Sequence, residues 1–246
     1  SGPGCPVCVT PVAYLDRALA LASLPDITVC SFGDMLRVPS STATLEEARA
    51  DGRSIEIVYS PRDAVEAAAR DPERRFVFLA VGFETTVPTI AAALAEAEER
   101  RLGNFLILPG NKIMPPPMQA LAGDPNLQVE GFLLPGHVSV ITGWESFLFL
   151  AEEHSMAGAV VGFAPADVLR GIAALLRQLA FRLGRQDLPG LQATPLHRQE
   201  TAAHATGVVQ PQRRGSLALV HRLAAAIAKM AATGQVLEIG RVARNR

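Results

Sequence analysis

Cysteine is scarce in this chain: of 246 residues only three are cysteines, at positions 5, 8 and 30. So low and odd a count argues against a disulfide framework and for reduced thiols with a chemical role. An excess of either charge is also lacking. A formal net charge of -1 and a pI near 6.5 give no electrostatic reason to expect nucleic acid or an anionic membrane as partner, which leaves small molecules or proteins. Long hydrophobic runs are missing as well, because charged residues interrupt every apolar stretch before it reaches the length of a bilayer span. The N-terminus does not have the basic-then-apolar layout of a secretion signal, so a cytoplasmic protein is expected. Repeats and low-complexity tracts are absent. Aromatic residues make up only 5%, yet hydrophobic residues total 49%, enough to bury a proper core and to exclude disorder or a coiled coil.

What is present alternates. "ITVCSF" from Ile27, "SIEIVYS" from Ser54, "RFVFLAVGF" from Arg75, "NFLILPG" from Asn104, "VEGFLLPG" from Val129 and "AGAVVGF" from Ala157 read as strands. Several are apolar without alternation, as strands covered on both faces of a parallel sheet are. Helices announce themselves by their starts. Thr44 is placed as N-cap with Glu47 behind it, and Ser60 as N-cap with Pro61 and Asp63 following. "TTVPTIAAALAEAEERR" and "WESFLFLAEE" are expected to follow their strands in the same way.

The period of strand, turn and helix predicts an α/β fold of two facing Rossmann-like domains, with mostly parallel sheets covered by helices and a cleft between them. Gly103, closing a long charged helix, sets the expected boundaries: residues 1–102 as the first domain, 103–180 as the second, and 181–246 as a linker and C-terminal helical appendage. The chain begins at Ser1 inside a loop that would normally follow a strand, so an upstream segment is expected.

Ligands of parallel α/β sheets gather at the carboxyl ends of the strands. Four unusual loops fall there: "GPGCPVCVTP", "FGDMLRVPSS", "GFETTVPT" and "LPGHVSVITG". In the first, Thr10 is expected to cap a helix that Pro11 begins, which puts Cys8 just before a helix N-terminus, where thiolate is favoured over thiol. Gly2 and Gly4 allow close approach of a ligand, and Pro6 stiffens the turn. The Cys5/Cys8 pair reads as a reactive dithiol for redox work or transient metal handling, or else as a tight apolar turn. A structural zinc site is disfavoured, since nothing completes a tetrahedral shell. Cys30, inside an apolar strand, reads as a core residue.

In the third loop, N-capping accounts for one threonine hydroxyl but not for Glu84 beside both Thr85 and Thr86. A carboxylate there could take a proton or hold a metal-bound group. In "PGHVS", a turn is expected to present His137 at a strand end rather than on a helix face. Asp34 and Arg37 are expected to pair with each other, and His154, His197, His204 and His221 read as surface residues.

Taken in order, "SGPGCPVCVTP", "SFGDMLRVPSS", "VYSPRDAVEAA", "VGFETTVPT", "PPPMQAL" and "GFLLPGHVSVITG" resemble the HypD family of [NiFe]-hydrogenase maturation proteins, from Ser1 to about Leu179. The resemblance implies a cytoplasmic scaffold, working with a HypC-type chaperone, on which iron acquires two cyanides and one carbon monoxide. Cyanide would arrive as a thiocyanate from a HypE-type donor, and no nucleic acid or membrane is implied. The resemblance makes Cys5 and Cys8 paired thiols exchanging electrons with a [4Fe-4S] cluster. It also places Glu84, Thr85, Thr86 and His137 along the cleft where the Fe(CN)2CO unit is built, with Gly4, Pro135, Gly136 and Ser139 shaping the ligand loops. The chemistry is consistent: cyanide release from a thiocyanate takes two electrons, the number a dithiol gives on closing a disulfide.

The chain departs from the family in several places. The Cys-Gly-x-His motif that carries the presumed iron ligand would precede Ser1. No cysteine follows Cys30, so the cluster is not expected in this chain. Ala164 stands where the family usually has Glu, Asn111 where it usually has His, and the stretch after His197 matches poorly. A truncated member and a divergent, non-catalytic α/β binding module are the two expectations.

Overall fold

The computed structural model describes Val7, residues 9–182 and Leu237–Glu238. All six strands expected from the sequence form. The order is α1 (Val12–Ala22), β1 (Ile27–Ser31), α2 (Leu45–Ala50), β2 (Ile55–Ile57), α3 (Pro61–Arg70), β3 (Arg75–Ala80), α4 (Val87–Glu99) and β4 (Phe105–Pro109). There follow α5 (Pro115–Ala122), β5 (Gly131–Pro135), α6 (Gly136–Thr142), α7 (Phe149–Glu152), β6 (Ala157–Val161), α8 (Pro165–Arg182) and β7 (Leu237–Glu238). The fold is α/β with parallel sheets covered by helices, in two compact units, one running to Lys112 and the other starting at Ile113. β4 therefore belongs to the first sheet, beyond the sequence-based boundary at residue 102.

The first sheet has the order β2-β1-β3-β4-β7, parallel throughout except for the short β7, which pairs antiparallel with β4. Its strands are apolar on both faces because both faces are covered. Phe76, Phe78 and Ala80 join the core beneath α3 and α4. Val77, Leu79 and Val81, the alternate residues of the same segment, join the core beneath α1 and α2. Cys30 is fully buried on the α3/α4 side, and burial pushes its thiol up to about 12. Each fully buried Phe or Leu of these layers stabilises the fold by about 1.5–3 kcal/mol relative to exposure.

Local signals fix the helix starts. The Thr44 side chain accepts from Glu47 N at 3.1 Å while Thr44 N donates to Glu47 Oε2 at 2.8 Å, and Ser60 and Asp63 form the same reciprocal pair at the start of α3. α1 departs from expectation. Pro11 keeps an extended ψ of 141° and occupies the N-cap position, so the helix starts at Val12 rather than at the proline.

In the second unit β5 and β6 pair in parallel, and Met118, Leu134, Val138, Phe147, Leu150 and Met156 form the core. Gln178 of α8 bonds both backbone groups of Gly158, at 3.2 and 2.9 Å, and so satisfies strand β6 from the helix above it. "WESFLFLAEE" is not the continuous helix expected. Gly143, at φ 84°, ends α6, and the chain then splits into a 3-10 turn at Trp144–Phe147 and the single turn of α7. Most of the expected C-terminal appendage lies outside the described residues. Among the described residues, no helix is long and apolar enough to cross a membrane.

Candidate functional site

Strand order determines where a ligand can sit in the first unit. From β1 the chain passes outward through α2 to β2, then crosses by α3 over β1 to β3, so the direction of winding reverses between β1 and β3. The carboxyl ends at such a reversal form the crevice that α/β sheets use for ligands. β1 leads there into a 3-10 turn at Gly33–Arg37, β3 into a 3-10 turn at Glu84–Thr86, and β4 into Gly110–Lys112.

The exits of β3 and β4 are joined beyond the strands themselves. Gly110 N donates to Ala80 O at 2.9 Å, and Lys112 N donates to Gly82 O at 2.8 Å. Gly82 has φ 153°, and a Cβ on it would collide with the Thr86 side chain, so this turn closes only around a glycine. Thr86 Oγ1 donates to Phe83 O at 2.9 Å and accepts from Asn111 Nδ2 at 3.0 Å. Asn111 is 6% exposed, its Nδ2 also reaches Gly82 O at 3.5 Å, and its Oδ1 has no hydrogen-bond partner.

Glu84 is only 3% exposed, at the head of α4, whose N-terminal partial charge favours an anion. Thr85 is half-buried beside it. Capping does not explain Thr86: it is the N-cap residue of α4, but its side chain makes no cap bond, the hydroxyl being used on Phe83 and Asn111. Across the reversal, Ser31 ends β1 with its Oγ fully buried and without a hydrogen-bond partner.

The segment around the first cysteine loop is tied to the same edge. The Tyr14 hydroxyl, in the first turn of α1, donates to Leu108 O near the end of β4 at 2.8 Å, and burial raises its pKa so that it stays a donor. A pocket of about 460 Å³ opens between Val7, Thr10 and Val12 on one side and Asp34, Arg37 and Val38 on the other. Gly4, Cys5 and Cys8 lie outside the described residues. Arg37 does not pair with Asp34 as expected. Its Nε lies 3.7 Å from Glu46 Oε2, since α2 brings that carboxylate over the end of the 3-10 turn.

In the second unit, β5 ends at Pro135 and α6 begins at Gly136 with no turn between them, so His137 lies in the first turn of a helix rather than on a loop. Gly136 permits the junction, because a Cβ there would sit 2.5 Å from Val161 O of the neighbouring strand. Ser139 Oγ donates back to Pro135 O at 3.1 Å. His137 is exposed, with its ring centroid 4.9 Å from that of Phe163, which follows β6. His154 is not a surface residue: it is half-buried, packs edge-on against Phe149, and its Nε2 is closed off without a hydrogen-bond partner. His197, His204 and His221 lie outside the described residues.

The structure thus gathers Glu84, Thr85 and Thr86 with Asn111 in one unit, and Pro135, Gly136, His137 and Ser139 with Phe163 in the other. Asn111 and Phe163 are the residues that sequence reasoning did not assign to a site. The signal available for Asn111 was its place directly after the apolar strand that ends in "LPG". Among the described residues, no group of three or more His, Cys, Asp or Glu side chains could hold a metal ion.

Comparison with known proteins adds a family and several relatives. The HypD family profile, described as "Hydrogenase formation hypA family", matches residues 1–188. The hydrogenase maturation factor HypD of Rhizobium leguminosarum bv. viciae is 45% identical over 185 residues, covering 72% of this chain and 48% of that protein. HypD of Rhodobacter capsulatus is 43% identical over 179 residues (73% of this chain, 48% of that protein), and HypD of Escherichia coli K12 is 40% identical over 177 residues (72% and 48%). The chain spans about half the length of the curated relatives it matches.

Proposed function

This chain belongs to the HypD family of hydrogenase formation proteins, and from that premise we propose that it serves as scaffold and thiol redox component in assembling the Fe(CN)2CO unit of [NiFe]-hydrogenase. One observation carries the reading. The exits of β1, β3 and β4, with their distinctive loops, form one rim at the winding reversal of the first sheet, and the residues flanking Cys8 border that rim. Iron is cargo in this scheme, built up with cyanide and carbon monoxide and passed on.

The redox step balances with the chain's own thiols. A protein thiocyanate, R–S–C≡N, accepts two electrons and two protons and leaves as R–SH and HCN, while Cys5 and Cys8 lose two electrons and two protons and close a disulfide. In this reading Glu84, buried at the head of α4, takes or returns the proton. A HypC-type chaperone and a HypE-type cyanide donor are the partners this reading requires. The family's [4Fe-4S] cluster does not fit the residues present. The chain has three cysteines, and Cys30 is sealed in the core with its thiol pushed up to about 12, which leaves too few thiolates to ligate a cluster. In this reading a thiol reductant resets the disulfide.

The test is complementation of a hydrogenase-maturation mutant by the gene encoding this chain. Cys5→Ala and Cys8→Ala are each expected to abolish hydrogenase activity, and unimpaired hydrogenase in either variant would remove the reading. A second reading, a binding module that keeps the α/β frame without thiol chemistry, draws on that same shortage of cluster ligands. It requires that Cys5 and Cys8 show no reversible two-electron couple in a glutathione buffer.

A further inference from the structure

We propose that Thr85, not Thr86, is the hydroxyl that this rim offers to a ligand, Thr86 being tied into the turn by Asn111. The inference rests on the reading above, that the rim is the working site. In sequence the two threonines are adjacent and chemically alike. A hydroxyl has one proton to donate and two lone pairs. Thr86 gives its proton to Phe83 O and takes one from Asn111 Nδ2, and its γ atoms fill the space that a side chain at Gly82 would need.

Turning the Thr86 proton toward a ligand would give up its bond to Phe83 O, and the same oxygen is already engaged by Asn111, which is 6% exposed. Thr85 is half-buried and makes no side-chain hydrogen bond among the described residues, so its proton is available. It precedes α4, whose N-terminus favours negative charge. The ligand that fits is a small anion, free or carried on a metal ion, receiving one hydrogen bond from Thr85.

The experiment sets maturation activity against thermal stability in Thr85→Val, Thr85→Ser, Thr86→Val, Thr86→Ser and Asn111→Ala, with activity normalised to folded protein in the complementation host. Thr85→Val is expected to lose about tenfold or more of the activity, as for one lost hydrogen bond to a charged group, with the melting temperature unchanged. Thr85→Ser restores it. Thr86→Val and Asn111→Ala lower the melting temperature, and the total activity they lose before normalisation is accounted for by the folded protein lost; Thr86→Ser recovers both. Full activity in Thr85→Val, or a comparable activity loss in Thr86→Val at unchanged melting temperature, overturns the proposal. If Cys5→Ala is also fully active, the reading beneath it falls too, whereas loss in Cys5→Ala but not in Thr85→Val sinks this inference alone.

Discussion

Replacing Gly82 by alanine tests the construction of the rim. The new Cβ would enter a backbone with φ 153° and meet the β carbon and both γ atoms of Thr86. A side chain in a backbone region it rarely adopts costs about 1–3 kcal/mol, and overpacking a tight contact costs about 1–3 kcal/mol more. The sum, about 2–6 kcal/mol, is large beside the marginal stability of a domain. Thr86→Ala alone removes the bonds to Phe83 O and Asn111, each worth about 1 kcal/mol. In the double variant Gly82→Ala/Thr86→Ala the γ atoms are gone, so part of the collision is relieved and the two costs do not add. Urea unfolding followed by circular dichroism reads all three variants as shifts in midpoint at constant slope. The expected outcome is a double-variant cost about 1–3 kcal/mol below the sum of the singles. Strict additivity, or a Gly82→Ala cost below about 0.5 kcal/mol, a value typical of indifferent surface sites, would refute the close approach of Gly82 to Thr86.

Four further outcomes follow from the rest of the structure. Phe78→Ala empties a fully buried position between sheet and helices and is expected to destabilise by about 3–5 kcal/mol, read by the same unfolding experiment. Ser60→Ala is expected to cost about 1 kcal/mol at neutral pH through loss of the α3 cap. The pH dependence has a definite sign. Hydrogen bonds from the backbone of Tyr59, and from Ser60, hold the Asp63 carboxyl below the usual carboxylate range. Its contribution is therefore present above about pH 4 and is lost as pH falls through the depressed folded value, so acid titration of Asp63→Asn should show a smaller stability loss below about pH 4 than the parent. Cys30 should resist iodoacetamide in the native protein at pH 8 and react only on unfolding, whereas rapid native labelling would contradict its place in the core.

Much of this architecture was legible because its causes are local. The apolar runs at Ile27, Arg75 and Asn104 lack alternation because both sheet faces are covered, and Thr44/Glu47 and Ser60/Asp63 carry their capping chemistry within three residues. What escaped depends on partners distant in sequence. Capping was expected to use one of the two threonine hydroxyls, and no local pattern shows that Asn111, 25 residues away, engages that of Thr86. Arg37 reached past the nearby Asp34 to Glu46 because α2 folds back over the loop. His137 entered a helix because Gly136 lets β5 turn directly into α6 against Val161, a contact between strands that no local pattern encodes. β7 is two residues long, too short to leave a periodic signal, and it is recognised only by its pairing with β4.

The Cys5/Cys8 dithiol is tested most directly by a redox titration of the full chain across a series of glutathione ratios, with the two thiols trapped by alkylation and counted by mass. A single reversible two-electron transition is expected, which disappears in Cys5→Ala and leaves Cys30 unmodified at every ratio. Thiols that become glutathionylated one by one with no internal bridge, or a transition indifferent to the loss of Cys5, would contradict it.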